Sequence, residues 1–468
     1  MTRRRALVWA ATSTRLVVGT ALAAGVVLAV GVGVAAPWPT HETQPVSLSV
    51  TPTPADTVLA CTGPLLALGR DASDAGGLTS AASSQTVSAS DGSPLDTVAL
   101  TASPAISGDA SASALVAAPD GDRRSDAAAA ASASVEADDL RGYTASACRQ
   151  PLIESWLVGG ATTTGAADLV VLSNPSDVAA TVQLSLYSPT GMAVPAGGAG
   201  LRVDPRTQRI VPLASLGVGE EAPIVRVTAS GAPVSAVLQS SLTRILLPGG
   251  VEQTGPVVAA ETTQVLPGVQ VLQSAVDAGP SGATTVLRVL SPGTATTVTV
   301  TVRDERGDEV LRQEAPLEAD LPTEVELAGL AVGRYTVTAA ADAPITAAVW
   351  QTTGFGEGAD FAWYTPAPLL AAPTLVAAPA GPSPTIFLVG GGAAADVTLE
   401  PVQGTGDAID ANVSAAGVTV VAATAGTVYR LQTDAPVRAS VSYASAGQLG
   451  GFPIWPADAA AAALTVYP

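Results

Sequence analysis

Lysine is absent from this chain: all 21 basic residues are arginine, and histidine occurs once, as His41. Without lysine there is no Ser-Lys dyad, no Schiff-base amine and no Walker-type phosphate loop. A Ser-His-Asp or Cys-His arrangement needs an imidazole inside a folded domain. His41 lies instead in a Pro/Thr-rich stretch, so both arrangements are excluded. Cysteine occurs twice, as Cys61 and Cys148, which with one histidine makes no zinc ligand set. Aromatic residues are only 4% of the chain, so cores must be built mainly from Ala, Val and Leu. The exclusive use of arginine reads as codon bias of a GC-rich genome, not as chemistry.

Positive charge is also scarce. The chain has 21 basic residues against 40 acidic ones, a net charge of −19. Four of the arginines (Arg3, Arg4, Arg5 and Arg15) precede the first acidic residue, Glu42, which leaves the rest more acidic still. Such a surface repels nucleic acid and anionic headgroups, so nucleic acid is not an expected partner.

Between Leu16 and Ala36 runs an uncharged, apolar stretch of about 21 residues, long enough to cross a bilayer core. Arginines stand on one side and acids on the other, so residues 1–15 are expected in the cytoplasm, 16–36 in the membrane and everything beyond outside. The rival is a cleaved signal peptide, for which Gly33-Val34-Ala35 before Ala36-Pro37 supplies small residues. Either route exports the bulk of the chain. Two exported cysteines are expected to form one disulfide. Residues 37–56, rich in Pro, Thr and Ser, read as an extended spacer.

Three later stretches repeat one another: SGAPVSAVLQ from Ser230, ADAPITAAVWQ from Ala341 and TDAPVRASVSY from Thr433. Each has an alternating apolar run, a turn residue, Ala-Pro and a second alternating run, which reads as a hairpin with proline opening the return strand. The Ala-Pro pairs recur at intervals of about 110 and about 90 residues, the length of one immunoglobulin-like β-sandwich. The expected fold is therefore all-β, with tandem immunoglobulin-like sandwiches at 152–256, 257–368 and 369–468. Before them, 57–151 reads as a β region broken by low-complexity loops, among them GDRRSDAAAAASAS from Gly121 to Ser134.

Carboxylates are the remaining chemistry. Asp304, Glu305, Asp308 and Glu309 crowd one hairpin tip with Arg303 and Arg306, a solvated turn and not a pair facing across a glycosidase cleft. Asp120, Asp122 and Asp126 lack the spacing and closing Glu of a calcium loop. No catalytic, metal or cofactor residue is assigned. The aromatics that do occur cluster: Trp350, Phe355, Phe361, Trp363 and Tyr364, then Phe452 and Trp455. Exposed, Trp350, Phe361, Trp363, Tyr364, Phe452 and Trp455 would make a surface for a glycan or protein partner. Buried, they would plug cores and junctions.

Short motifs add a resemblance. Cys61 to Pro64 reads Cys-x-Gly-Pro; a second cysteine, Cys148, precedes W-x-V-G-G (Trp156, Val158, Gly159, Gly160); L-x-N-P follows at Leu172, Ser173, Asn174 and Pro175. This order resembles a family of secreted, membrane-anchored actinobacterial proteins known only as a domain of unknown function. The resemblance implies an envelope protein with one N-terminal membrane segment and brings no catalytic residues. The expected role is a non-catalytic structural or interaction module of the cell envelope, with other envelope proteins or cell-wall glycan as partners. A carbohydrate-binding protein using the aromatics is the alternative, and a carboxylate glycosidase a distant one.

Overall fold

Alternating Val and Thr segments form strands throughout the computed structural model, which describes residues 3–36, 48–50, 53–70, 74, 76–108, 112–272, 284–457 and 464–466. The helix Arg3–Ala35 begins before the apolar run, because Ala, Leu and Arg of the basic tail are good helix formers. Its segment Ser13–Ala35 spans 23 residues with a mean hydropathy of 2.3. By length and composition it can cross a membrane or act as a signal sequence. Leu48–Val50 pairs antiparallel with Leu464–Val466, so part of the expected spacer and the chain's last strand form a ribbon. Helix and ribbon belong to one unit, and Thr53–Ala461 form a second. His41 and most of the 37–56 spacer lie outside the described residues.

Within the second unit one strand order recurs. Counted along the chain, the strands Glu154–Val158, Leu169–Asn174, Ala180–Ser188, Gly191–Ala193, Thr207–Pro212, Ile224–Ser230, Ser235–Arg244 and Leu247–Thr254 make two facing sheets, ordered 1-6-3-4 and 8-7-2-5. The same two orders return in the strands between Glu261 and Tyr364 and between Thr374 and Pro453. Each pair of sheets closes on its own apolar core, built mostly of Val, Leu and Ala. The pairs 2–5 and 3–6 are those of an immunoglobulin sandwich. The first and seventh strands have exchanged sheets, the first lying beside 6 and the seventh beside 2.

That exchange corrects the hairpin reading of the Ala-Pro repeats. Ile224–Ser230 pairs with Ala180–Ser188 in one sheet, whereas Ser235–Arg244 pairs with Leu169–Asn174 in the other. The chain at Ala232-Pro233 therefore arches from sheet to sheet. Ala343-Pro344 sits midway along the 20-residue strand Gly333–Thr352, whose halves pair in different sheets. Ala435-Pro436 joins Thr427–Thr433 to Val437–Ser445 in the same way. Proline suits an arch, where its missing N–H breaks no ladder bond. The residues after it point inward: Val234, Ala236 and Leu238, then Ile345, Ala347 and Val349, then Val437, Ala439 and Val441.

A fourth copy precedes these three. Thr57–Ala60, Ala112–Ala117 and Leu95–Ser103 form an order 1-6-3, and Arg141–Ala147, Ala127–Glu136 and Gln85–Ser90 an order 8-7-2. Ala118-Pro119 lies at its arch. The Gly121–Ser134 stretch, expected as a surface loop, thus supplies most of a central strand with Ala129, Ala130 and Ala131 buried. A three-stranded sheet of Leu65–Leu68, Leu78–Ala82 and Ile106–Ser107 is inserted in this copy. Parallel pairing of Thr207–Arg209 with Thr101–Ser103 joins a sheet of the second sandwich to one of the first, giving seven strands.

The eighth strands meet. Arg141–Ala147 packs on Leu247–Thr254, that on Phe361–Tyr364, that on Gln448–Pro453, and the last returns to Arg141–Ala147. Four tandem sandwiches are thereby closed into a cycle around their innermost strands.

Candidate functional site

Where the four inner strands converge, a carboxylate stands at the centre. Asp360, immediately before Phe361–Tyr364, is fully buried. It accepts the backbone N–H of Tyr143 at 3.0 Å, of Leu449 at 3.1 Å and of Val251 at 3.2 Å, one from each of the other three inner strands. Two glycines make the approach possible: a Cβ on Gly142 or Gly250 would stand 2.6 or 2.7 Å from Asp360 Oδ1. Burial outweighs these donors and pushes the carboxyl up to about 8. Beside it Glu252, also fully buried, accepts Thr144 Oγ1 at 2.8 Å through Oε1, while Oε2 has no partner among the described residues. Burial first, and then the charge of Asp360, raises Glu252 well above the ordinary carboxylate range.

The second junction of interest joins the second and third sandwiches. Arg288, nearly buried, donates from Nη1 to the carbonyls of Gly160 (2.7 Å) and Pro223 (3.1 Å). Its Nη2 reaches the carbonyl of Glu221 (3.1 Å) and Glu324 Oε1 (2.8 Å), and its plane lies 4.7 Å from the Trp363 ring. Asp168 accepts the N–H of Ala161 (2.7 Å) and Ser241 (3.0 Å); burial pushes it up to about 6, against those bonds and the Arg288 charge. These groups border a cavity of ≈ 260 Å³ whose aromatic side is Trp350, Phe361 and Trp363.

The aromatic candidates divide accordingly. Phe361, Trp363, Tyr364 and Phe452 are buried, so the expectation of an open platform fails for these four. Period-two alternation sends Phe361 and Trp363 to the inter-sandwich cluster with Trp156 and Tyr187, and Tyr364 with Ala362 to the third core. Phe452 sits in the fourth core. Trp350 and Trp455 are half-buried and each borders a cavity. Rings have gone to junctions because only they fill a gap that Ala and Val cannot span. Trp363→Ala is accordingly expected to cost about 3 kcal/mol through cavity formation, read in urea titration. An unchanged midpoint would show that the ring is dispensable to the junction.

At the closure of the cycle, Cys61 and Cys148 are joined as a disulfide. The next residue, Arg149, donates to the carbonyl of Pro453 and lies 4.3 Å from the Trp455 ring; its burial lowers it to about 9. Tyr143 and Tyr443 pack at 5.4 Å between centroids, their hydroxyls donating to Ala380 and Pro379. The acidic turn is neutralised by arginine: Asp304 Oδ1 accepts the N–H of Arg306 and Asp308, Oδ2 pairs with Arg306 at 2.9 Å, and Glu305 pairs with Arg334 at 3.3 Å. Asp120 and Asp122 are exposed, and Asp126 accepts the N–H of Leu375 across the closing junction.

Sequence reasoning missed Asp360, Glu252, Asp168, Arg244 and Arg288. The available signal was an acid or guanidinium set inside an otherwise apolar strand, as in GGVEQ and GADFAW.

The short motifs now have physical reasons. In W-x-V-G-G, a Cβ on Gly159 would stand 3.2 Å from the Trp363 ring and one on Gly160 2.5 Å from Asp168. In L-x-N-P, the buried Asn174 amide donates to the carbonyls of Val178, Val203 and Asp204, and its Oδ1 accepts Ser176 N–H, fixing the turn. No curated protein matches this sequence. A family of unknown function, DUF5719, matches residues 104–429, from within the first sandwich to within the fourth. The match covers well over half of the chain, which therefore belongs to the DUF5719 family.

Proposed function

We propose that the chain is a membrane-anchored, non-catalytic scaffold of an actinobacterial cell envelope, its four sandwiches held outside the membrane as one interaction body. The observation that carries this reading is the helix span Ser13–Ala35, apolar and exposed, with Arg3, Arg4 and Arg5 before it, Arg15 near its start and every acidic residue after it. Positive-inside asymmetry orients such a span with the sandwiches outside. The Cys61–Cys148 bond supports an oxidising compartment. The buried polar groups Asp360, Arg288 and Arg149 each bind backbone of a neighbouring sandwich, a use of polar side chains that serves rigidity. Other envelope proteins or wall glycan are the partners such a body would hold. Arginine-only basicity supports a GC-rich actinobacterial source.

Topology tests it. In intact spheroplasts, added protease is expected to remove everything beyond Ala36 while an N-terminal tag stays protected, and alkaline carbonate should leave the full chain in the membrane pellet. A tag lost together with the sandwiches, or full-length protein in the soluble cytosol, would reject the anchor.

A further inference from the structure

Arg244 is the anomaly of the second junction. It closes the strand Ser235–Arg244 at the mouth of the ≈ 260 Å³ cavity, half-buried, 4.4 Å from the Phe355 ring and 5.9 Å from that of Trp350. Among the described residues no carboxylate or carbonyl bonds to it, although the chain carries 40 acidic residues. A half-buried guanidinium without an acceptor is costly and asks for one. The backbone fixes it there. Thr243 and Arg244 pair with Pro248 and Leu247 around a two-residue turn. Ile245 and Leu246 occupy that turn at φ 46° and 69°, where Asn-Gly is the unstrained choice. Both side chains project into solvent, 97% and 90% exposed.

The cavity offers three chemistries at once. Trp350 presents an aromatic face, Arg244 a planar five-donor fork, and Glu221 and Glu324 are carboxylate acceptors. Glu324 Oε1 takes both bonds from Arg288, and Oε2 is without a partner among the described residues. A bare anion would be repelled by these acids, and an apolar ligand would leave Arg244 desolvated and unpaired. A ring that stacks, donates hydroxyls and carries one negative group satisfies all three. The volume, at the small end of ligand cavities, takes a sugar ring or two and not a long chain.

We propose that this cleft binds an acidic sugar, the ring on Trp350, its anionic group on Arg244 and its hydroxyls on Glu221 and Glu324. The site goes beyond the scaffold role and does not depend on it, since the topology experiment and a binding experiment can fail separately. Full-length protein in detergent micelles is titrated with digalacturonic acid, with its methyl ester and with glucose 6-phosphate, by tryptophan fluorescence and calorimetry. Saturable binding of an anionic probe is expected, weakened about tenfold or more by Arg244→Gln and by a similar factor for the neutral ester, the scale of one charge-assisted bond. Preference between the two acids identifies a carboxylate or a phosphate sugar. Arg244→Lys, which keeps the charge and loses the fork, should fall between, and Trp350→Leu should weaken all probes alike. The proposal is overturned if neither acid binds, if the ester binds as well as the acid, if Arg244→Gln and Arg244→Lys both bind like the parent, or if inorganic phosphate alone competes fully.

Discussion

Asp360→Ala should lower the melting temperature by about 5 °C or more, a loss of roughly 4–6 kcal/mol from one side chain that touches no solvent. The size follows from what Asp360 holds. Its two oxygens accept N–H groups from three other sandwiches, and alanine would leave Tyr143, Val251 and Leu449 with buried, unpaired donors. Gly142 and Gly250 add nothing to refill the space. The same change at Asp304, on an exposed turn, should move the melt by less than about 1 °C, since surface pairs contribute little. A melt for Asp360→Ala within about 1 °C of the parent would mean that the four inner strands cohere without their shared acceptor.

The pH dependence has a definite sign. An aspartate is near 3.9 in the unfolded chain and stands at about 8 here. The folded state therefore binds more protons between those values, and the stabilisation present at low pH is lost as pH rises through about 8. Glu252, raised well above its ordinary range, acts in the same direction. Asp126 and Asp168, each pushed to about 6, add to the slope only at lower pH. The protein should consequently melt higher at pH 6 than at pH 8.5. Asp360→Asn should flatten that slope, leaving the share that Glu252→Gln removes. A parent melt that rises from pH 6 to pH 8.5 would contradict the burial of both carboxyls as neutral acids.

Period-two alternation made the sandwiches legible, and the three Ala-Pro pairs marked equivalent places in them. What they marked was misjudged, because a turn residue followed by proline looks the same whether the chain doubles back within a sheet or arches to the facing one. Only pairing partners distinguish the two, and those are 40 or more residues away in sequence: Val170 beside Leu238, Leu184 beside Val227. The first copy escaped notice for a different reason. Its seventh strand is AAAAASASVE, a composition that favours helix or loop locally and is overridden by two flanking ladders. Ala118-Pro119 stood in the sequence, but no alternating run followed it. The cycle and its central acid were beyond reach, since closure depends on contacts such as Tyr143 with Asp360 that no local pattern encodes. Aromatic clustering was visible while its burial was not, because a strand's two faces look alike until the neighbouring sandwich is placed.

Removing the Cys61–Cys148 bond, by Cys61→Ser with Cys148→Ser or by reductant, should cost about 4–5 kcal/mol, the chain-entropy value for a sequence separation of 87. The first sandwich has little else to rely on. Its core is divided into two small clusters, Leu59, Leu115 and Ala129 beside the two cysteines and Leu65, Ala133, Val135 and Leu140 apart from them, where the third sandwich packs more than a dozen Val, Leu and Ile residues together. Its first strand, Thr57–Ala60, is four residues long at a sheet edge and is otherwise tied to the end of the copy by the bridge between Ala60 and Arg149. Loss should therefore be local first: limited proteolysis of the reduced protein should cut within residues 57–151 before any other part. Damage then spreads through Arg141–Ala147, the strand that presents Tyr143 to Asp360, Thr144 to Glu252 and, two residues on, Arg149 to Pro453. Reduction and Asp360→Ala should accordingly be less than additive when combined, because both open the same closing strand. Fully additive losses, or first cuts in the third sandwich, would separate the disulfide from the cycle and leave the first copy an appendage.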